Sequence, residues 1–331
     1  MTKILVTGGA GFIGSHVARY LLSEGNTVFI LDDLSGGFIE NLPSDAHFRK
    51  GSVTDHHMVD HLFQEEQFDY VFHFAAYAAE GLSHFIKRFN YMNNLIGSIN
   101  LINAAINTNV KCFVFTSSIA VYGTSSELPM VETTVCHPED SYGIAKLAVE
   151  RELMISQKMF GLNHIIFRPH NVYGERQNIG DKYRNVIGIF MNQILQGKPM
   201  TIFGDGDQLR AFSYIGDIVP VIADSIHHDE AYNQIFNIGA DTPYSINELA
   251  SSVAHSMGIQ PEIIHLPARN EVVAAYSSHE KVRKYFGERK LHSLNDGLQI
   301  MAEWVKQNGS CESKNFNDLE IKKNLPDFWI K

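Results

Sequence analysis

The chain has 331 residues, 44% hydrophobic and 19% charged, which is enough apolar material for two small domains in close contact. A formal net charge of -10 argues against a general nucleic-acid binder, because neutralising phosphates needs a basic surface. Three cysteines without a CxxC pair argue against a disulfide framework, and 16 scattered histidines without matching ligand sets point to no metal site.

Met1-Thr2-Lys3 leads directly into the apolar run Ile4–Thr7, too short for a signal peptide, and no later stretch is long enough to span a bilayer. The expected compartment is therefore the cytosol. Further apolar runs follow at Thr27–Leu31, Tyr70–Ala75, Cys112–Ser117 and His164–Phe167. Segments of helical period alternate with them at Ile13–Ser23, Met58–Glu65, Asn90–Asn107 and Tyr142–Phe160. This alternation predicts an α/β protein built on a Rossmann-type doubly wound parallel sheet, with ligands at the carboxyl ends of its strands.

Beyond Pro169 the pattern is less regular. Helices are predicted over Val186–Gln196, Asp217–His227, Ile246–Met257 and Ser293–Lys306, with a strand over Ile263–Leu266 and a Gly-rich break at Phe203–Asp207. The expected organisation is a dinucleotide-binding domain over 1–169, to which segments around 211–240 return. Residues 170–210 and 241–331 then form a smaller C-terminal α/β substrate domain. From Asn308 the chain is polar and irregular, and reads as a tail or lid.

Thr7-Gly8-Gly9-Ala10-Gly11-Phe12-Ile13-Gly14 follows the first strand and opens a helix. Gly8 allows a tight turn, Gly11 lets the backbone approach a pyrophosphate, and Gly14 allows close helix–strand packing. The anion then rests on the helix N-terminus at Phe12 and Ile13, where unpaired N–H groups and the dipole favour negative charge. The second strand ends in Asp32-Asp33. A carboxylate at Asp32 can accept hydrogen bonds from ribose hydroxyls and would repel a 2′-phosphate, which favours NAD over NADP.

Tyr142 and Lys146 are spaced as i and i+4, so they share one helix face. A free phenol titrates near ~10, too high for a neutral-pH base, and a neighbouring ammonium would lower it. Thr116-Ser117-Ser118 ends the strand before that helix, so Ser118 faces the cofactor and can hydrogen-bond a sugar oxygen as its charge changes. Together the three residues point to hydride-transfer catalysis.

The ordered motifs identify a resemblance to the extended short-chain dehydrogenases/reductases, specifically the NAD-dependent sugar-nucleotide epimerases and dehydratases. They are the glycine run, Asp32-Asp33, His73-Phe74-Ala75-Ala76, Asn93-Asn94, Ser117-Ser118-Ile119-Ala120-Val121-Tyr122-Gly123, Tyr142/Lys146 and Arg168-Pro169-His170-Asn171-Val172-Tyr173-Gly174, and the likeness extends to about residue 306. Among members, the chain is most similar to UDP-glucose 4-epimerases. The resemblance implies that Val53, Ala75, Ala76, Asn93 and Ser117 join Tyr142 and Lys146 in the cofactor site. It implies Tyr142 as the acid/base and places Asn171, Arg210, Arg269 and Tyr276 around the nucleotide sugar, with both arginines on its diphosphate. It also implies a homodimer through helices 90–107 and 142–160.

Three positions depart from the family pattern. Ile119-Ala120 stands where dehydratases carry Asp-Glu and decarboxylases a Glu, which argues for epimerisation. Tyr77–Glu80 lacks a lysine frequent in 4-epimerases, and Ser52 replaces a common adenine-contacting Asp. The basic stretch Asp181–Asn185 reads as a solvated loop, with an acidic sugar as the competing reading, while the resemblance matches Tyr276 to a position whose bulk restricts N-acetyl sugars and so implies a plain hexose. The expected activity is C4 epimerisation of a nucleotide sugar. Decarboxylation, dehydration or reduction on the same scaffold is the alternative, and a non-catalytic NAD binder the last.

Overall fold

The apolar runs of the first half are buried on both faces, the condition for parallel strands covered by helices. In the computed structural model, which describes residues 1–268, 272–313, 316 and 318–326, seven strands make one sheet. They are β1 (Lys3–Thr7), β2 (Thr27–Asp32), β3 (His47–Lys50), β4 (Tyr70–His73), β5 (Cys112–Thr116), β6 (His164–Pro169) and β7 (Gln234–Ile238). All pairs are parallel, in the order β7-β6-β5-β4-β1-β2-β3. Successive residues alternate between faces: Ile4 and Val6 join one core cluster and Leu5 the other.

Helices α1 (Phe12–Ser23), α2 (His56–Glu66), α3 (Gly97–Asn107) and α4 (Ser141–Phe160) connect strands of this sheet. The predicted single helix over Asn90–Asn107 is interrupted. A short helix, Lys87–Tyr91, passes into a π turn at Met92–Ile96 before α3 begins. Such turns redirect side chains and recur at functional sites. Here the turn carries Asn93 and Asn94.

After β6 the chain builds α5 (Val186–Leu195), α6 (Ile215–Asp224), α7 (Ile246–Met257) and α8 (Leu294–Asn308). Helix α6 packs on α1 and β7 joins the main sheet, whereas α7 packs against α5 and α8. Ser245 and Ser293 start α7 and α8 with capping boxes closed by Glu248 and Asp296. Short strand pairs complete this part: Leu209–Ala211 lies between Pro243–Ser245 and Ala274–Ala275, and Met200–Phe203 runs parallel to Ile263–Leu266.

The segment after α8 returns to the main body. Cys311 exchanges hydrogen bonds with Asn192 of α5, and Phe316 enters a small apolar cluster with Tyr77, Phe89 and Tyr183.

Candidate active site

A cleft of about 980 Å³ opens along the carboxyl ends of the strands. Its floor is the crevice between β1 and β4, where the strand order reverses, the usual ligand position on open parallel sheets. Gly8 turns there with φ +71°, and a Cβ on it would lie 2.6 Å from the Ala75 nitrogen. A Cβ on Gly14 would collide with the Gly8 carbonyl oxygen. Gly11 is the N-cap of α1 and supplies no side-chain cap, so the first N–H groups of the helix stay available to an anion. A dinucleotide diphosphate therefore fits this cradle.

Asp32 is held for a second contact. Its Oδ2 accepts from Ala10 N at 3.0 Å and its Oδ1 from Leu34 N at 2.8 Å, while burial pushes its carboxyl up. Asp33 binds the Ser35 amide at 2.8 Å, and both carboxylates line the cleft with Val53. The loop after β2 folds back onto the glycine turn, Phe38 N donating to Ala10 O at 2.9 Å.

A buried relay fixes the other wall. Ser98 Oγ donates to Asn94 O at 2.8 Å and so accepts from His73 Nε2, also at 2.8 Å; His73 Nδ1 then accepts from the Thr7 hydroxyl at 2.7 Å. The ring is neutral, because burial, and secondarily Lys146, pulls it well below the usual histidine range. Asn94 clasps the Tyr77 backbone at both N and O. Ala75, Ala76 and Asn93 line the cleft beside it.

Ser118 leaves β5 in extended conformation and its Oγ accepts from Ala120 N at 3.1 Å. Opposite it, Asp140 caps α4 on Gly143 N at 2.8 Å, and the first turn of the helix carries Tyr142. Gly143 permits this approach, since a Cβ there would stand 2.7 Å from Ala120 O. Tyr142 and Ser118 line the cleft together, and Lys146 Nζ lies 5.8 Å from the centroid of the Tyr142 ring while donating to Thr116 O at 2.7 Å. Burial is the main cause that pushes the Tyr142 phenol above its ordinary range. The Glu80 carboxylate acts in the same direction, and the Ser118 hydroxyl opposes it. Burial also lowers Lys146 to about 7, with Glu150 pulling back. In the free cleft the phenol is thus protonated, and added positive charge at the nicotinamide position would favour its ionisation.

Behind these groups lies a buried network that sequence reading missed. Glu150, two helical turns beyond Tyr142, accepts from Ser117 Oγ at 2.5 Å and pairs with Arg168 at 2.9 and 2.6 Å. Arg168 continues to the Tyr122 hydroxyl, which donates to Asn237. The i, i+4, i+8 spacing of Tyr142, Lys146 and Glu150 on one helix was the available signal.

On the substrate side Asn171 takes φ 41° and donates from Nδ2 to Ala211 O at 2.9 Å. Arg210 lines the cleft, its guanidinium held on the Leu209 and Val272 carbonyls at 2.8 and 2.6 Å. Tyr276 is not among the lining residues: its carbonyl pairs with Met130 N, and Ala275 faces the cleft instead. Arg269 lies outside the described residues. Lys182, Tyr183, Arg184 and Asn185 line the cleft, so this stretch is a wall of the site and not the solvated loop expected for it. Among the described residues no cluster of metal-binding side chains occurs, and no helix is long and apolar enough to cross a membrane.

The profile of the NAD dependent epimerase/dehydratase family matches residues 4–239. The chain is 31% identical to the UDP-glucose 4-epimerase of Lactobacillus helveticus over 92% of its own length and 97% of the relative's. It superposes with a TM-score of 0.89 on the UDP-glucose 4-epimerase of Thermotoga maritima, solved with UDP-glucose, at 34% identity over 93% of this chain and 99% of that one. A UDP-glucuronic acid 4-epimerase from Bacillus cereus, solved with UDP-glucuronic acid and NAD, gives 0.85 at 28% identity over 93% of this chain and all (100%) of that one.

Proposed function

The chain belongs to the NAD dependent epimerase/dehydratase family, and within it we propose that it interconverts the C4 epimers of a nucleotide sugar, a UDP-hexose or UDP-hexuronate. The observation that carries this reading is the Ser118–Tyr142–Lys146 constellation beside a strand exit, Ile119-Ala120, that brings no extra acid.

NAD, which the glycine turn and Asp32 would hold, would supply the hydride acceptor and donor for the sugar carbon. The chain's own groups handle the proton and the orientation. Tyr142 receives the O4 proton as the C4 carbonyl forms and gives it back on reduction. Ser118, which lines the cleft with that phenol, holds O4 in line. Lys146, when protonated, places its positive charge next to the phenol, and its bond to the Thr116 carbonyl fixes Nζ against β5. The Asn94–Tyr77 clasp and the glycine turn hold the dinucleotide wall still while the keto sugar turns. We further read the helices around 90–107 and 141–160 as a homodimer surface, because Met92, Ile96, Ile155, Met159 and Phe160 are exposed there.

One observation favours a second reading, dehydration. Glu80 lines the cleft and acts electrostatically on Tyr142, so a carboxylate is present near the sugar from a different segment. Proton NMR with UDP-glucose, UDP-N-acetylglucosamine and UDP-glucuronate, each with NAD, separates the two. Appearance of the 4-epimer without net NADH is the expected result. A 6-deoxy-4-keto product would replace epimerisation by dehydration, and loss of that product in Glu80→Gln would then identify Glu80 as its acid/base.

A further inference from the structure

Arg184 belongs to the loop between β6 and α5, on the substrate side, yet it reaches the opposite wall. Its Nε donates to Asp181 Oδ2 at 2.6 Å, and its guanidinium lies over the Tyr77 ring, 4.8 Å from the centroid. Both supports are themselves fixed. Asp181 also binds Tyr183 N at 2.9 Å, and Asn94 clasps Tyr77 through two backbone bonds. The Tyr183 hydroxyl accepts from Phe316 N at 3.1 Å, tying the loop to the returning tail.

On its far side Arg184 Nη2 comes within 4.0 Å of the position a Cβ on Gly36 would take. The next residue, Gly37, packs so closely on Ala10 of the glycine turn that a Cβ on it would lie 2.7 Å from the Ala10 carbonyl carbon. The guanidinium therefore bridges the mouth of the cleft, from Tyr77 to the loop lying on the anion cradle. Its side chain is 18% exposed, and among the described residues neither Nη meets a protein acceptor. Asp181 balances the charge through Nε and leaves both Nη groups turned to the cleft, and a fork with free N–H donors suits paired phosphate oxygens.

We propose that Arg184 is a diphosphate clamp for the bound dinucleotide, reaching from the substrate side to close the glycine turn beneath it. The clamp rests on the NAD part of the functional reading and is independent of which sugar reaction follows. It gives the Asp181–Asn185 loop a role in holding cofactor through successive turnovers.

The test is the rate at which the purified holoenzyme releases NAD into an excess of a trapping dehydrogenase, for wild type and Arg184→Gln. Loss of a charge-assisted bond predicts release about 10- to 100-fold faster in the variant. Displacement should follow the same pattern: the variant loses a similar factor in affinity for ADP-ribose, which carries the diphosphate, and none for adenosine, which does not. Arg184→Lys should recover part of the loss, and the wild-type advantage should shrink as salt rises. Unchanged release and unchanged ADP-ribose affinity would overturn the clamp. So would an equal loss for adenosine, which would signal general damage to the cleft, or a defect confined to UDP-glucuronate, which would assign the guanidinium to a sugar carboxylate. A wild-type protein that binds no NAD would remove the cofactor reading itself.

Discussion

On the cofactor side of the cleft, residues that act together are neighbours in the chain: Gly8, Gly11 and Gly14 lie within one strand–helix turn, and Asp32 ends the adjacent strand. On the substrate side, Asn171, Arg184, Arg210 and Phe316 come from separate segments, each reaching a carbonyl, ring or hydroxyl of another segment. The first wall is dictated by backbone geometry, with positions where only a glycine fits. The second is dictated by side chains packing across long sequence separations. One therefore tolerates little change in backbone shape, whereas the other is expected to yield gradually as its contacts are trimmed.

The boundary between the two walls is where the comparison can be tested hardest. Tyr142→Phe removes the proton acceptor and leaves both walls intact. Turnover is expected to fall about 10²- to 10⁴-fold, with NAD retained and melting temperature nearly unchanged, as measured by coupled assay, bound-cofactor absorbance and calorimetry. A variant that also shed NAD would show that Tyr142 belongs to the cofactor wall more than to the chemistry.

Next in size is the cofactor wall itself. Gly14→Ala places a methyl group against the Gly8 carbonyl, so either α1 or the turn must move. Loss of bound NAD is expected together with a destabilisation of about 1–3 kcal/mol, read by urea denaturation with and without NAD. Phe316→Ala is the matching cut on the other wall. It empties a half-buried site against Tyr77 and Phe89, whose rings lie 5.5 and 5.0 Å away. The expected result is milder: a several-fold rise in KM for the nucleotide sugar and about 1–2 kcal/mol of local packing lost. Faster hydrogen exchange at Tyr183–Asn185 would locate the change in that loop.

This asymmetry explains what could be read from the sequence. Strand–glycine–helix–acid is a local pattern with a fixed physical meaning, so the cofactor wall was legible, as were β1, β2, β5 and most of the helices. The edge strand β3 was not: all four of its residues are exposed, leaving no apolar run to detect. The π turn at Met92–Ile96 was hidden because a helical period cannot show where one residue has been added to a turn. Glu150, Arg184 and the returning tail escaped because their meaning depends on partners in distant segments. Asp181–Asn185 looked like a solvated basic loop, and only Tyr77 and Phe316 make it a wall.

Acid stability offers the smallest comparison, between two buried histidines, one in the main sheet and one on the substrate side. Burial lowers His164, at the start of β6, to about 4, and His170, beside Asn171, to about 3. In the unfolded chain both would titrate near ~6.5. Between those values the unfolded state binds more protons than the folded one, so stability rises with pH and is lost as pH falls below ~6.5. Each histidine is expected to contribute about 2 kcal/mol of that loss between pH 6.5 and 5, measured by urea denaturation across the range. His164→Gln and His170→Gln should each flatten the slope by one proton's worth, whatever they do to stability at pH 7. If only His164→Gln flattens it, the substrate side already opens enough in the native state for His170 to protonate in place. The two regions would then differ in how tightly they exclude water, and not only in how they are assembled.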